Sequence, residues 1–275
     1  VNLWLHEPHT PFHTLPEYRR RFPGLSERDN IYASVLAHAD ERVGEVLDAL
    51  DRLNLAGNTL VIFSSDNGPA RAQPGTKLQI MNDTATGEGY NIAAAKGVTG
   101  GRKGYKAALF EGGIGVPFIA RWPGKIGSGK IDRTSLLSAV DLLPTFCEIA
   151  KVKLPSSYRP DGISQVSALK GKGQARRSKP LFWKTIAPWP ARKAKPDHWV
   201  SFAVISENWK LVANRSMNYI ELYDLESDPL EAVNVADKQE KEVRRLRTML
   251  KEWRASLPDR PSGKVFSRLR DEGRP

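Results

Sequence analysis

The sequence predicts an α/β domain of three layers around a mostly parallel sheet, followed by a small antiparallel sheet that carries a carboxyl-terminal helix. Two observations point to the first part. Thr59-Leu60-Val61-Ile62-Phe63 is a short, continuously apolar run that stops at Ser64-Ser65-Asp66-Asn67-Gly68-Pro69, directly after a long helical pattern. Helix, tight turn and buried strand in that order form one half of a parallel unit. A second run of this kind, Val116 to Arg121, closes at Trp122-Pro123-Gly124. The third observation concerns the end of the chain, where short apolar stretches recur at hairpin spacing before a last amphipathic segment.

Taken in order, Val1 to Leu5 reads as a strand that runs into His6-Glu7-Pro8-His9-Thr10-Pro11-Phe12-His13. The two prolines hold this stretch extended. Arg19-Arg20-Arg21 reads as a solvated basic face. With Asp29 or Asn30 as cap, Ile31, Val35, Ala39, Val43, Val46, Leu47, Leu50 and Leu53 fall at helical spacing. Asp66 and Asn67 follow the key strand, where open α/β sheets place their ligands. Residues 70–104 lack periodicity and read as a long loop. That loop ends in the glycine-spaced basic cluster Gly100-Gly101-Arg102-Lys103-Gly104-Tyr105-Lys106, a composition that brings amides and ammonium groups close to an oxyanion. A helix is expected from about Ser138 to Ile149. Residues 155–180 are rich in Pro, Gly, Ser and Lys and read as a linker or surface excursion.

Strands are expected at Leu181–Thr185, Val200–Ser206, Trp209–Ala213 and Tyr219–Tyr223. A helix from Glu240 to Leu257 follows, with Val243, Leu246, Leu250 and Trp253 inward. The domain boundaries that result are 1–175, 176–258 and a charged tail, 259–275.

At 275 residues, 40% hydrophobic and 27% charged, the chain has the composition of a globular protein with a sizeable core. No stretch approaches a membrane span. The net charge of +11 favours polyanions. No nucleic-acid-reading signature accompanies it, so nucleic acid is not expected as a partner. Cys147, the single cysteine, lies in an apolar setting and reads as a buried, inert thiol.

In combination these segments resemble the type I, formylglycine-dependent sulfatases of the alkaline-phosphatase superfamily, nearest the arylsulfatase A and N-acetylgalactosamine-6-sulfatase branch. The carriers are Pro8-His9-Thr10-Pro11, Asp66-Asn67-Gly68, Lys106 five residues before Glu111-Gly112-Gly113, Arg121-Trp122-Pro123-Gly124, and Glu221-Leu222-Tyr223-Asp224-Leu225 with Asp228-Pro229. The resemblance implies hydrolysis of sulfuric esters of a carbohydrate or aryl alcohol. It implies Asp66 and Asn67 as ligands of Ca2+, with Mg2+ as the alternative. By the same resemblance Lys106 neutralises the sulfate, and His9 hydrogen-bonds the ester and protonates the leaving alcohol. His6, Glu7 and His13 take no assigned role beyond substrate-edge or structural residues.

The formylglycine precursor, Cys or Ser followed by x-Pro-x-Arg, does not occur ahead of Pro8-His9-Thr10-Pro11, where the family carries it, nor do the family's paired aspartates. The spacing recurs only at Ser256-Leu257-Pro258-Asp259-Arg260, at the wrong end of the motif order. The sequence is therefore expected to correspond to the carboxyl-terminal half to two-thirds of a sulfatase, with an incomplete sheet, and to be inactive alone. Gly115 also stands where many relatives carry arginine. Two other readings remain: a truncated chain that binds polyanions without turnover, and a phosphodiesterase or phosphonate hydrolase of the same superfamily. Export to periplasm, extracellular space or lysosome is what the family implies.

Overall fold

A computed structural model describes residues 1–72, 75–172, 177–185 and 200–257. The expected tail at 259–275 lies outside the described residues. The chain divides into two compact units, one of residues 1–179 with 226–232 and one of 180–225 with 233–275. No helix among the described residues is long and apolar enough to cross a membrane.

The first unit opens with the extended histidine segment and the short helix α1 (Pro16–Arg19), which has a proline in its first turn. Helix α2 (Glu27–Arg52) follows. Its cap is Ser26, whose hydroxyl accepts the Asp29 N–H, and not Asp29 or Asn30 as the sequence suggested. Asn30 turns inward instead. Its amide donates to the carbonyls of Arg19 and Phe22, and its oxygen accepts from Arg19 Nε at 2.8 Å. The buried face of α2 is confined to its first half, where Ile31 and Val35 meet Phe12, Ala94 and Ala95.

The key strand β1 (Val61–Ser64) corrects an expectation. Its partner is antiparallel, and its last two residues are exposed rather than buried on both faces. Residues 70–104, expected as an unstructured loop, contain the hairpin β2 (Ile80–Asp83) and β3 (Gly87–Tyr90). Asp83 Oδ1 accepts the amides of Ala85 and Thr86 at 2.8 and 3.0 Å, which folds the turn and holds the carboxyl below its usual pKa. Four-residue strands with Gly at two of the eight positions offer too little alternation to be seen in sequence.

After the single-turn helix α3 (Glu111–Ile114), strand β4 (Phe118–Arg121) pairs with β1 in the register Val61↔Arg121 to Ser64↔Phe118. A short apolar run carries no directional information, so sequence could not separate parallel from antiparallel pairing here. Phe63 and Ile119, directly opposite each other across the ribbon, are exposed on one face of it, and Phe118 on the other. A 3-10 turn at Ala139–Asp141 leads into α4 (Leu142–Ala150), and α5 (Val166–Leu169) follows. Cys147 is half-buried rather than buried. The stretch expected as a surface excursion holds a buried residue, Arg177, which forms two hydrogen bonds to Asp141 at 2.7 and 2.8 Å.

The second unit is one antiparallel sheet in sequential order: β5 (Leu181–Lys184), β6 (Val200–Ser206), β7 (Trp209–Asn214) and β8 (Ile220–Asp224). Helix α6 (Glu240–Ser256) lays Leu246 and Leu250, both fully buried, on Phe202, Val204, Leu211 and Leu222. Val243 and Trp253 border this core, the latter stacked on Phe182 at 5.0 Å.

Candidate active site

The site residues are set by backbone contacts that only glycines permit. Where the chain leaves β1, Gly68 N–H donates to Gly113 O at 2.8 Å. A Cβ on Gly68 would overlap the Gly112 carbonyl, and Cβ atoms on Gly112 or Gly113 would overlap carbonyls of Gly104 or Ala108. The Asp66-Asn67-Gly68 turn therefore lies main chain against main chain on Glu111-Gly112-Gly113. Lys106 N–H donates to Pro69 O at 3.0 Å, and Gly112 N–H to Lys103 O at 2.7 Å. These bonds bring Lys106 beside the end of β1, although some forty residues separate them in the chain.

The histidine segment is seated from the other side. Phe12 and Tyr90 exchange two backbone hydrogen bonds of 2.8 and 3.0 Å, which fix the segment to β3. Gly89 leaves room for this approach, since a Cβ there would lie 2.7 Å from Pro11 Cβ. His9 Nδ1 donates to Thr10 O at 2.8 Å. Because a carbonyl only accepts, the proton of the neutral ring is placed on Nδ1 and the Nε2 lone pair is left free.

His9 and Lys106 line one cavity of about 210 Å³, with Phe12, Tyr32, Ile92 and Ala95 as its apolar wall and Thr10 at its rim. Both side chains are exposed, and the Lys106 ammonium has no partner among the described residues. The sequence singled out His9 and Lys106 in separate motifs, and the fold places both on this cavity. Phe12 and Tyr32 were not singled out in the sequence, because an aromatic in an extended segment or on a helix reads as ordinary core packing. His6, Glu7 and His13 have protein partners: Pro11 O at 3.2 Å, His38 at 3.6 Å and Glu88 O at 2.6 Å, respectively. Gly115 also has a local reason, because a side chain there would start 2.7 Å from Glu111 O and 2.8 Å from its Oε2.

Asp66 is exposed and its carboxylate has no protein partner among the described residues; Asn67 follows it, half-buried, with its amide nitrogen on Gly68 O at 2.9 Å. A free carboxylate beside an amide oxygen has the chemistry of a hard-cation ligand pair. No group of three or more His, Cys, Asp or Glu suited to a metal occurs among the described residues. The pair thus fits as two of the six to eight oxygens that calcium takes, roughly a third of a shell.

The model of the Sulfatase family matches residues 3–152, and that of the carboxyl-terminal domain of N-sulphoglucosamine sulphohydrolase matches residues 102–256. The chain is 28% identical over 229 residues to an N-acetylgalactosamine-6-O-sulfatase of Bacteroides thetaiotaomicron, covering 78% of this chain and 40% of that protein. It is 31% identical over 230 residues to arylsulfatase A of Bos taurus, covering 78% of this chain and 41% of the relative. The crystal structure of Ps i-CgsB in complex with k-i-k-neocarrahexaose superposes with a TM-score of 0.70 at 24% identity, over 90% of this chain and 48% of that one. This likeness shows the fold, the alkaline-phosphatase-like α/β class expected from the sequence. The chain spans about four-tenths of the length of the two curated relatives and belongs to the sulfatase family.

Proposed function

We propose that the protein hydrolyses sulfuric esters of a carbohydrate or aryl alcohol, with His9 and Lys106 as its sulfate-facing residues. The observation that carries this reading is the shared cavity: it is lined by Lys106, whose ammonium has no partner among the described residues, and by His9, whose Nδ1 is bonded to Thr10 O. Lys106 offers a compact positive charge to an oxyanion whose charge is spread over several oxygens. His9, when protonated, presents N–H at Nε2 and supplies a proton to a departing alkoxide. Tyr32 and Ile92, both partly exposed, suit the apolar face of a sugar or aryl ring and keep water from that side.

Asp66 and Asn67 would hold the divalent cation, calcium or magnesium. When bound, it supplies Lewis-acid polarisation of sulfate oxygens. The formylglycine nucleophile would come from a segment outside these 275 residues. The names of the relatives, an N-acetylgalactosamine-6-O-sulfatase and an arylsulfatase, support sulfated sugars and aryl sulfates as the substrates to assay, and export as the destination to test.

The test is turnover of an aryl sulfate and of 6-O-sulfated N-acetylgalactosamine by the natural full-length protein. Lys106→Ala should lower kcat/KM by roughly 10²- to 10³-fold, the usual cost of removing one transition-state charge contact, with folding intact by circular dichroism. His9→Ala should cost about 10²-fold, more for the poorer leaving group. Wild-type activity retained by both variants would remove this cavity from the chemistry.

A further inference from the structure

The seven residues 226–232 belong to the first unit, although the chain on either side of them forms the second. Glu231 is 2% exposed and has a left-handed φ of +58°. A buried carboxylate on such a backbone is a costly choice for a segment that merely fills space. Its Oε2 accepts the Glu111 N–H at 2.6 Å. That amide opens α3 and has no carbonyl of its own helix to bond. One residue earlier, Leu230 O accepts the Lys103 N–H at 3.2 Å, and the Leu230 side chain lies over Gly101.

These contacts bracket Lys106, three residues before it and five after. We propose that Glu231 is a positioning residue for Lys106: its carboxylate pins the Glu111 amide, and with Leu230 it holds the loop 101–113 so that the ammonium faces the cavity. The same loop passes the restraint onward, because Gly113 O receives Gly68 N–H and thereby fixes the turn that carries Asp66 and Asn67. Glu231 touches no substrate and acts through the loop. The proposal rests on the reading of Lys106 as a sulfate-facing group.

The experiment pairs amide hydrogen exchange with steady-state turnover of an aryl sulfate in the natural full-length protein. Glu231→Gly removes the carboxylate and suits the positive φ, so it opens the clamp without backbone strain. Exchange across 101–113 should quicken by about tenfold or more, while the β6–β7 hairpin stays protected. kcat should fall by about tenfold with a smaller change in KM. Glu231→Gln keeps an acceptor oxygen and should restore most of both. Should Glu231→Gly not fold, Glu231→Asp, which withdraws the oxygen by one methylene, carries the same expectations. Unchanged exchange at 101–113, or loss of protection throughout the molecule, would overturn the proposal. A wild-type protein with no sulfate-ester turnover would sink the sulfatase reading alone, and exchange would still judge the clamp.

Discussion

Asp141 shows how much a single buried carboxylate organises. Besides its two bonds to Arg177, it accepts the amides of Ser138 and Ile163, both at 2.9 Å, and Gln165 Nε2 at 3.1 Å. Burial pushes its pKa up, but the Arg177 guanidinium and the backbone amides outweigh this and hold it below the usual 3.8. A depressed carboxylate stabilises the fold above its unfolded pKa, and that contribution is lost as the pH falls through the folded value. Arg177→Met should therefore cost about 3–5 kcal/mol at pH 7, because it strands a buried charge. The deficit should shrink in acid, where the still-buried Asp141 of the variant, having lost the guanidinium that lowers its pKa, protonates more readily. Urea denaturation at pH 7 and pH 4 measures both, and an equal deficit at the two values would show that the pair is not what the mutation disturbs. Arg177 lies in a stretch rich in Gly, Ser and Lys, and nothing local to it announces burial. Asp66, Asn67, His9 and Lys106, by contrast, each sit in a short motif that sequence alone singles out.

Between elements, the decisive contact is the one between the Gly68 turn and α3. Gly68→Ala places a methyl group on the Gly112 carbonyl, so one of the two chains must retreat. Overpacking of this kind costs roughly 1–3 kcal/mol, and here it displaces the Asp66–Asn67 pair from Lys106. The expected outcome is a folded protein with weakened divalent-cation binding, read by calorimetry with Ca2+. Unaltered cation affinity would mean that the turn does not position the pair. In the second unit, α6 is held by Leu246 and Leu250. Leu250→Ala should destabilise that unit by about 2–5 kcal/mol through lost burial and the cavity left behind. Thermal unfolding followed by Trp fluorescence checks it, and a loss below about 1 kcal/mol would place the sheet's cohesion in its own ladder instead. These strands and α6 were visible in sequence because their periods run for several repeats, whereas β2 and β3 were too short to leave a pattern.

At the scale of the whole molecule, the net charge of +11 acts through the field rather than through contacts. Association with a polysulfated carbohydrate should weaken steeply between low and physiological ionic strength, while turnover of a monosulfated aryl ester should change little. Equal salt dependence for both substrates would assign the charge to solubility alone. Sequence by itself determined the family and the order of helices and strands in the carboxyl-terminal sheet. Those depend on local period, turn chemistry and motif spacing, which are all written along the chain. Tertiary structure alone decided that β1 pairs antiparallel with β4, that Arg177 is buried on Asp141, and that Glu231 reaches back 120 residues to the amide of Glu111. Each of these depends on which polar groups, of backbone or side chain, still lack a partner once the local elements have formed, and only the folded chain determines who meets them.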